Sequence, residues 1–192
     1  MAGETPQNGD SVRLREIQAW QRLVAAAQVR HVHWYAYAEA IESERCSAVV
    51  GLFNVAARSE RVLLYYLNRR LDVLGGRQKR KTQPEYTRFY TSDAAIAEAM
   101  RICSRPGDLS LPEEHASPNE GLAEARRAAS VTPAMLEWFG AKLRVMRNKT
   151  PDLYWWTREY FVCSLCSMPT DDLRRKTCSA CGANETEFLR TR

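Results

Sequence analysis

The chain has 192 residues, of which 45% are hydrophobic and 27% charged, with a formal net charge of +5 and a pI near 9.0. This composition excludes a low-complexity or disordered polymer and leaves room for one sizeable domain with a small satellite. A charge of this size permits contact with nucleic acid or an acidic partner but does not by itself indicate either.

In chain order, residues 1–10 ("MAGETPQNGD") are polar and are expected to be a flexible N-terminus. A long helix is predicted over 11–45, with Ser11 as its cap. Leu14, Ile17, Trp20, Val24, Ala27, His31, Trp34 and Ile41 recur along it at helical steps. A turn near 43–47 leads to a second helix whose stripe is Val49, Phe53, Ala56, Leu63, Leu67 and Leu74, and Gly75-Gly76 stops it. Two long helices joined by a short turn should pack antiparallel. A long connection over about 76–119 follows, with a short helix at 93–104 and prolines at Pro106, Pro112 and Pro118. Helical character returns near Glu120, and Pro133 is expected to open a new helix with Thr132 as cap. The fold class is therefore mainly α, with a helical domain over 11–157 and a separate C-terminal ribbon over 158–192.

No apolar run approaches the roughly 18 residues of a membrane helix. The longest candidate, 46–57, is interrupted by Ser47, Gly51 and Asn54. No secretory signal is visible, and the cysteine pattern suits a reducing compartment. The expected location is intracellular, in the mitochondrial matrix or the cytoplasm, with the matrix ahead.

Four of the six cysteines stand as Cys163-x-x-Cys166 and Cys178-x-x-Cys181, with eleven residues between the pairs. A CxxC turn lets two thiolates face one ion, and two turns complete a tetrahedral four-sulfur site. Soft sites of this kind take zinc or a single iron, and the spacing does not separate them. Gly182 follows the second knuckle, whereas Ser167 follows the first. A structural zinc is the favoured cofactor, and the tail would then fold around it. Cys46 and Cys103 read as isolated thiols.

No P-loop, dinucleotide fingerprint, HExxH or GxSxG is present. A basic stretch interleaved with aromatics, containing Arg77, Lys79, Arg80, Lys81 and Arg88 with Tyr86, Phe89 and Tyr90, could contact RNA or a protein partner.

The stretch Trp34–Ala40, the run Phe53…Ala57…Glu60 and the cysteine tail, in that order, resemble the rubrerythrins. The resemblance implies a ferritin-like antiparallel bundle followed by a rubredoxin-like four-cysteine domain. It also implies a di-iron centre built from a Glu on the first helix, Glu-x-x-His on the second, Glu residues on the third and Glu-x-x-His on the fourth. This sequence departs from that set. The first-helix position falls on Ala26, Ala27 or Gln28. Glu60 is followed by Leu63 where His would stand, and Glu137 by Gly140. Glu60 and Glu137 are candidate vestiges of the di-iron site, or helical glutamates that pair with arginines or face water. His31 and His33 read as packing or surface residues. A rubredoxin-type iron would have no acceptor for its electron, which favours zinc in the tail.

The expected function is non-catalytic: an accessory subunit of a larger intracellular assembly, such as a respiratory complex or a ribosome-like particle. The alternatives are a rubrerythrin-type redox or peroxidase protein with a modified metal site, and an RNA-binding zinc-ribbon module.

Overall fold

The computed structural model describes residues 7–42, 47–76, 91–104, 120–148, 159–172, 174 and 176–191. Among the described residues four α-helices lead: α1 Gln7–Glu42, α2 Ser47–Leu74, α3 Ser92–Ser104 and α4 Glu120–Asn148. Three short strands follow, β1 Tyr160–Cys163, β2 Pro169–Thr170 and β3 Phe188–Thr191, in an antiparallel sheet of order β2-β1-β3.

Helix α1 begins at Gln7, four residues before the expected cap at Ser11. The end of α2 follows the expected stop. Gly75 takes a left-handed φ of +69°, its N–H bonds the Asp72 carbonyl at 3.1 Å, and the Gly76 N–H reaches back to Leu71 at 2.8 Å. This is a Schellman closure, which satisfies carbonyls the helix would otherwise leave open. Gly76 is also required by contact, since a Cβ there would stand 2.5 Å from Ile17 Cγ2 of α1.

Helix α4 differs from expectation. It runs unbroken from Glu120 to Asn148 with Pro133 inside it. A proline removes one ladder hydrogen bond and disfavours a helix interior by about 3 kcal/mol or more. Here Pro133 faces solvent, while Ala128, Ala129, Met135 and Leu136 on either side are buried. Burial of both flanking turns holds the axis across the proline, so tertiary packing overrides the local signal.

The helical core divides into two apolar clusters along the bundle. One gathers Trp34, Tyr37, Ile41, Phe53, Ile96, Phe139 and Leu143, and it extends to Tyr160 and Val162 of β1. The other gathers Trp20, Leu23, Val24, Ala27, Leu63, Leu67, Leu71 and Ala125. On both α1 and α2 the changeover falls at one level, at residue 30 and residue 60. The basic-aromatic stretch Arg77, Lys79, Arg80, Lys81 and Arg88 lies outside the described residues, as do Cys46 and His115.

Candidate metal centre

Each cysteine pair is held by the same local backbone. In the first knuckle the Ser167 N–H bonds the Cys163 carbonyl at 3.0 Å and the Cys163 N–H bonds Met168 O at 3.0 Å. In the second, the Gly182 N–H bonds Cys178 O at 2.9 Å and the Cys178 N–H bonds Ala183 O at 2.7 Å. The residue after each second cysteine is left-handed, with φ of 67° at Ser167 and 74° at Gly182. Glycine takes this conformation freely, whereas a serine there is disfavoured by about 1–2 kcal/mol. Ser167 is fully buried, and its hydroxyl donates to the Cys166 carbonyl. The two knuckles are thus equivalent in geometry although their sequences differ at this position.

The four sulfurs converge. Cys163 Sγ lies 3.7 Å from Cys181 Sγ, Cys166 Sγ lies 3.6 Å from Cys178 Sγ, and all four fall within 4.8 Å of one another. A disulfide would place paired sulfurs about 2.05 Å apart. Four thiolates around one ion at about 2.3 Å have tetrahedral edges of about 3.8 Å. The spacing fits the second arrangement and excludes the first. Backbone N–H groups of Leu165 and Cys166 point at Cys163 Sγ, that of Met168 at Cys166 Sγ, and those of Ala180 and Cys181 at Cys178 Sγ. Such donors stabilise thiolates, the form a metal needs. Hydrogen bonding among the thiols holds the Cys166 thiol above its ordinary range and the Cys178 thiol below it. This is a four-cysteine metal-binding cluster.

The cluster is fastened to the bundle. Val131 of α4 packs against Cys163, Cys166 and Cys178. The Tyr66 hydroxyl of α2 donates to the Ser164 carbonyl inside the first knuckle at 2.8 Å. The Tyr160 ring meets α2 at Gly51 and stands edge-on to Trp138 at 6.1 Å. Lys142 Nζ bonds Asp171 at 2.5 Å while lying 5.2 Å over the Trp138 ring. Three of the four cysteines are buried, and Cys181 is half-buried.

The bundle interior is built differently. Glu60 is fully buried, and Arg30 grips its carboxylate with two donors, Nε at 2.6 Å and Nη2 at 3.1 Å. Burial raises the Glu60 carboxyl above its ordinary range, and the Arg30 guanidinium opposes that rise. Trp34 Nε1 makes no well-formed hydrogen bond but leans toward the same carboxylate and favours its charged form. Leu63, one turn on, is buried in the second apolar cluster. Glu137 is exposed on α4, at the rim of a groove between α3 and α4 whose lining includes Cys103 and Gly140. At Gly140 an added Cβ would stand 3.3 Å from Cys103 Cβ, so the glycine sets how closely these helices approach. Glu60 is thus held in a buried ion pair while Glu137 faces solvent, and among the described residues neither joins a group of three or more potential ligands. Among the described residues, the four cysteines are the one group of three or more potential ligands gathered at metal-binding distance. The described residues do not present a di-iron ligand set.

His31 directs Nδ1 at the Ala57 carbonyl at 2.8 Å and meets Tyr35 edge-on, and His33 stacks on Tyr37. Both act in packing. Sequence reasoning missed the role of Arg30. The available signal was its place on the buried stripe, three residues after Ala27 and four before Trp34, as the sole Asp, Glu, Lys or Arg between residues 23 and 38.

A helical bundle joined to a C-terminal four-cysteine ribbon defines a protein of rubrerythrin-type fold. No protein-family model matches the sequence, and no curated protein matches it. Among solved structures the chain is similar to nigerythrin, a rubrerythrin-type protein, in partially reduced, mixed-valent and fully reduced (all ferrous) states. The TM-scores are 0.70, 0.68 and 0.72, at 12% identity, over 91% of this chain and 86% of the other. At that identity the likeness is one of fold.

Proposed function

We propose that the chain is a non-catalytic structural subunit of a larger intracellular assembly, with one zinc held by Cys163, Cys166, Cys178 and Cys181. The observation that carries this reading is the two-point Arg30–Glu60 pair at the centre of the bundle. A guanidinium neutralises the carboxylate where the rubrerythrin-type resemblance implies a metal centre, so the bundle's charge balances without an ion. Bound zinc would supply four metal–sulfur bonds that close the ribbon. Val131, Tyr66 and Lys142 transmit that closure to α4 and α2. The cysteines act as ligands, and no proton or electron step involves them. Zinc is preferred to iron because, among the described residues, the bundle offers no second ligand cluster with which a ribbon iron could exchange electrons.

A subunit of an assembly should travel with it. Sedimentation of a native lysate at low salt is expected to place the chain in megadalton fractions, together with a fixed set of other proteins. A chain found only in fractions near its 22.0 kDa mass would overturn the reading.

A further inference from the structure

Charge is distributed unevenly over the α1–α2 hairpin. Across residues 17–38 and 48–71 the sole carboxylate is Glu60, and it is fully buried in its ion pair. The same two segments contain no lysine. On α2, Arg58, Arg61, Tyr65 and Arg69 follow one another at steps of three, four and four residues and so share one face. Arg61, Tyr65 and Arg69 are exposed and Arg58 half-exposed. Among the described residues no carboxylate pairs with Arg58 or Arg61, and Arg69 makes a long exposed contact of 3.6 Å with Glu124. The Tyr65 ring is 57% exposed, with the Arg69 guanidinium 5.7 Å from its centroid. The face continues onto α1: His31 Nδ1 lies 2.8 Å from the carbonyl of Ala57, the residue before Arg58, and the His31 ring meets the 48%-exposed Tyr35 ring at 4.9 Å. Three guanidinium groups and two open tyrosine rings thus lie along one strip of the described surface. It spans about 16 Å of α2 from Arg58 to Arg69, at 1.5 Å per residue.

We propose that this strip is a docking surface for single-stranded nucleic acid, with Arg58, Arg61 and Arg69 on successive phosphates and Tyr65 and Tyr35 stacking on bases. Guanidinium forks suit phosphate oxygens, and an aromatic face accepts any base, so the contact is insensitive to sequence. The surface is distinct from the stretch Arg77 to Arg88 and does not depend on the structural-subunit reading.

The test uses the full-length, metal-loaded chain and fluorescein-labelled U12 and dT12 oligonucleotides, with binding followed by anisotropy. Three neutralised phosphates give a log–log salt slope of about −2, so affinity should fall about 20-fold between 50 and 200 mM salt. Arg58→Gln/Arg61→Gln, which breaks no ion pair among the described residues, should flatten that slope to about −0.7. Tyr65→Ala should weaken binding at least about five-fold, as expected for loss of one stacked base. Far-UV circular dichroism confirms that each variant keeps its fold, and Tyr65→Phe, which retains the ring, should bind as the native chain does. Three results would each overturn the proposal. One is unchanged binding by both the arginine and the Tyr65→Ala variants. Another is loss only on reversing Arg77, Lys79, Arg80 and Lys81. The third is a polyglutamate peptide that binds as tightly as U12 and is indifferent to Tyr65→Ala, which would assign the strip to an acidic protein partner.

Discussion

Replacing Arg30 by methionine keeps most of the side chain's bulk and removes its guanidinium. Glu60, fully buried, would lose both of its donors, at 2.6 and 3.1 Å. Breaking a buried pair by deleting one partner typically costs about 3–5 kcal/mol, a large share of the roughly 5–15 kcal/mol that stabilises a domain. Urea unfolding followed by far-UV circular dichroism at pH 7.5 reads the loss directly. The penalty should also depend on pH. The Glu60 carboxyl already sits above its ordinary range through burial, with Arg30 pulling it down. A carboxyl whose folded pKa exceeds its unfolded value, about 4.3, binds its proton more tightly in the folded state. Its contribution is fully present below the unfolded pKa and is lost as pH rises through the folded one. Removing Arg30 raises the folded pKa further, so the Arg30→Met penalty should be smaller at pH 5 than at pH 7.5. The double variant Arg30→Met/Glu60→Leu has no buried charge to leave unpaired and should recover most of the lost stability. A penalty below about 1 kcal/mol, or one unchanged by pH, would refute the reasoning.

Three further outcomes follow from the geometry. Stripping the metal with a strong chelator should abolish the near-ultraviolet signal of Trp138 beside Tyr160 while leaving most of the helical signal at 222 nm, because the backbone hydrogen bonds of each helix close within that helix; coincident loss of both would contradict this. Ser167→Gly removes a left-handed strain of about 1–2 kcal/mol and should leave the zinc-loaded ribbon at least as resistant to chelator, whereas the β-branched Ser167→Val should weaken it. Burial pushes the Cys103 thiol up to about 12. Its alkylation by iodoacetamide at pH 8 should then be roughly a thousand-fold slower than that of an unperturbed thiol and rise about ten-fold per pH unit, as peptide mass spectrometry would show.

The sequence was most informative where one local rule decides the outcome. Paired CxxC spacing determines which sulfurs can face one ion, and the structure gathers the same four. Gly75-Gly76 can close a helix in few ways, and it closes α2 as expected. The sequence was least informative where partners are far apart along the chain. Glu60 was recognisable as a charged residue on an inward helix, and pairing with an arginine was one of its two readings. The choice of Arg30, thirty residues away on α1, depends on the register of two antiparallel helices, which no local spacing encodes. Pro133 misled for a related reason: its cost is local, whereas the burial that outweighs it comes from α2 and α3. The left-handed Ser167 was hidden because its residue type does not announce the conformation. Only the equivalence of its knuckle to the one ending in Gly182 suggests it.

Metal content tests the central claim most directly. The full-length chain, produced in medium supplied with both iron and zinc and purified without chelators, would be assayed by inductively coupled plasma mass spectrometry alongside its ability to consume peroxide. The structural account predicts one zinc per chain, negligible iron, no peroxide turnover, and complete loss of the metal on Cys166→Ser/Cys178→Ser. Two or more irons per chain that survive that double substitution, with peroxide consumed, would show that the bundle holds a redox centre despite the Arg30–Glu60 pair, and would contradict it.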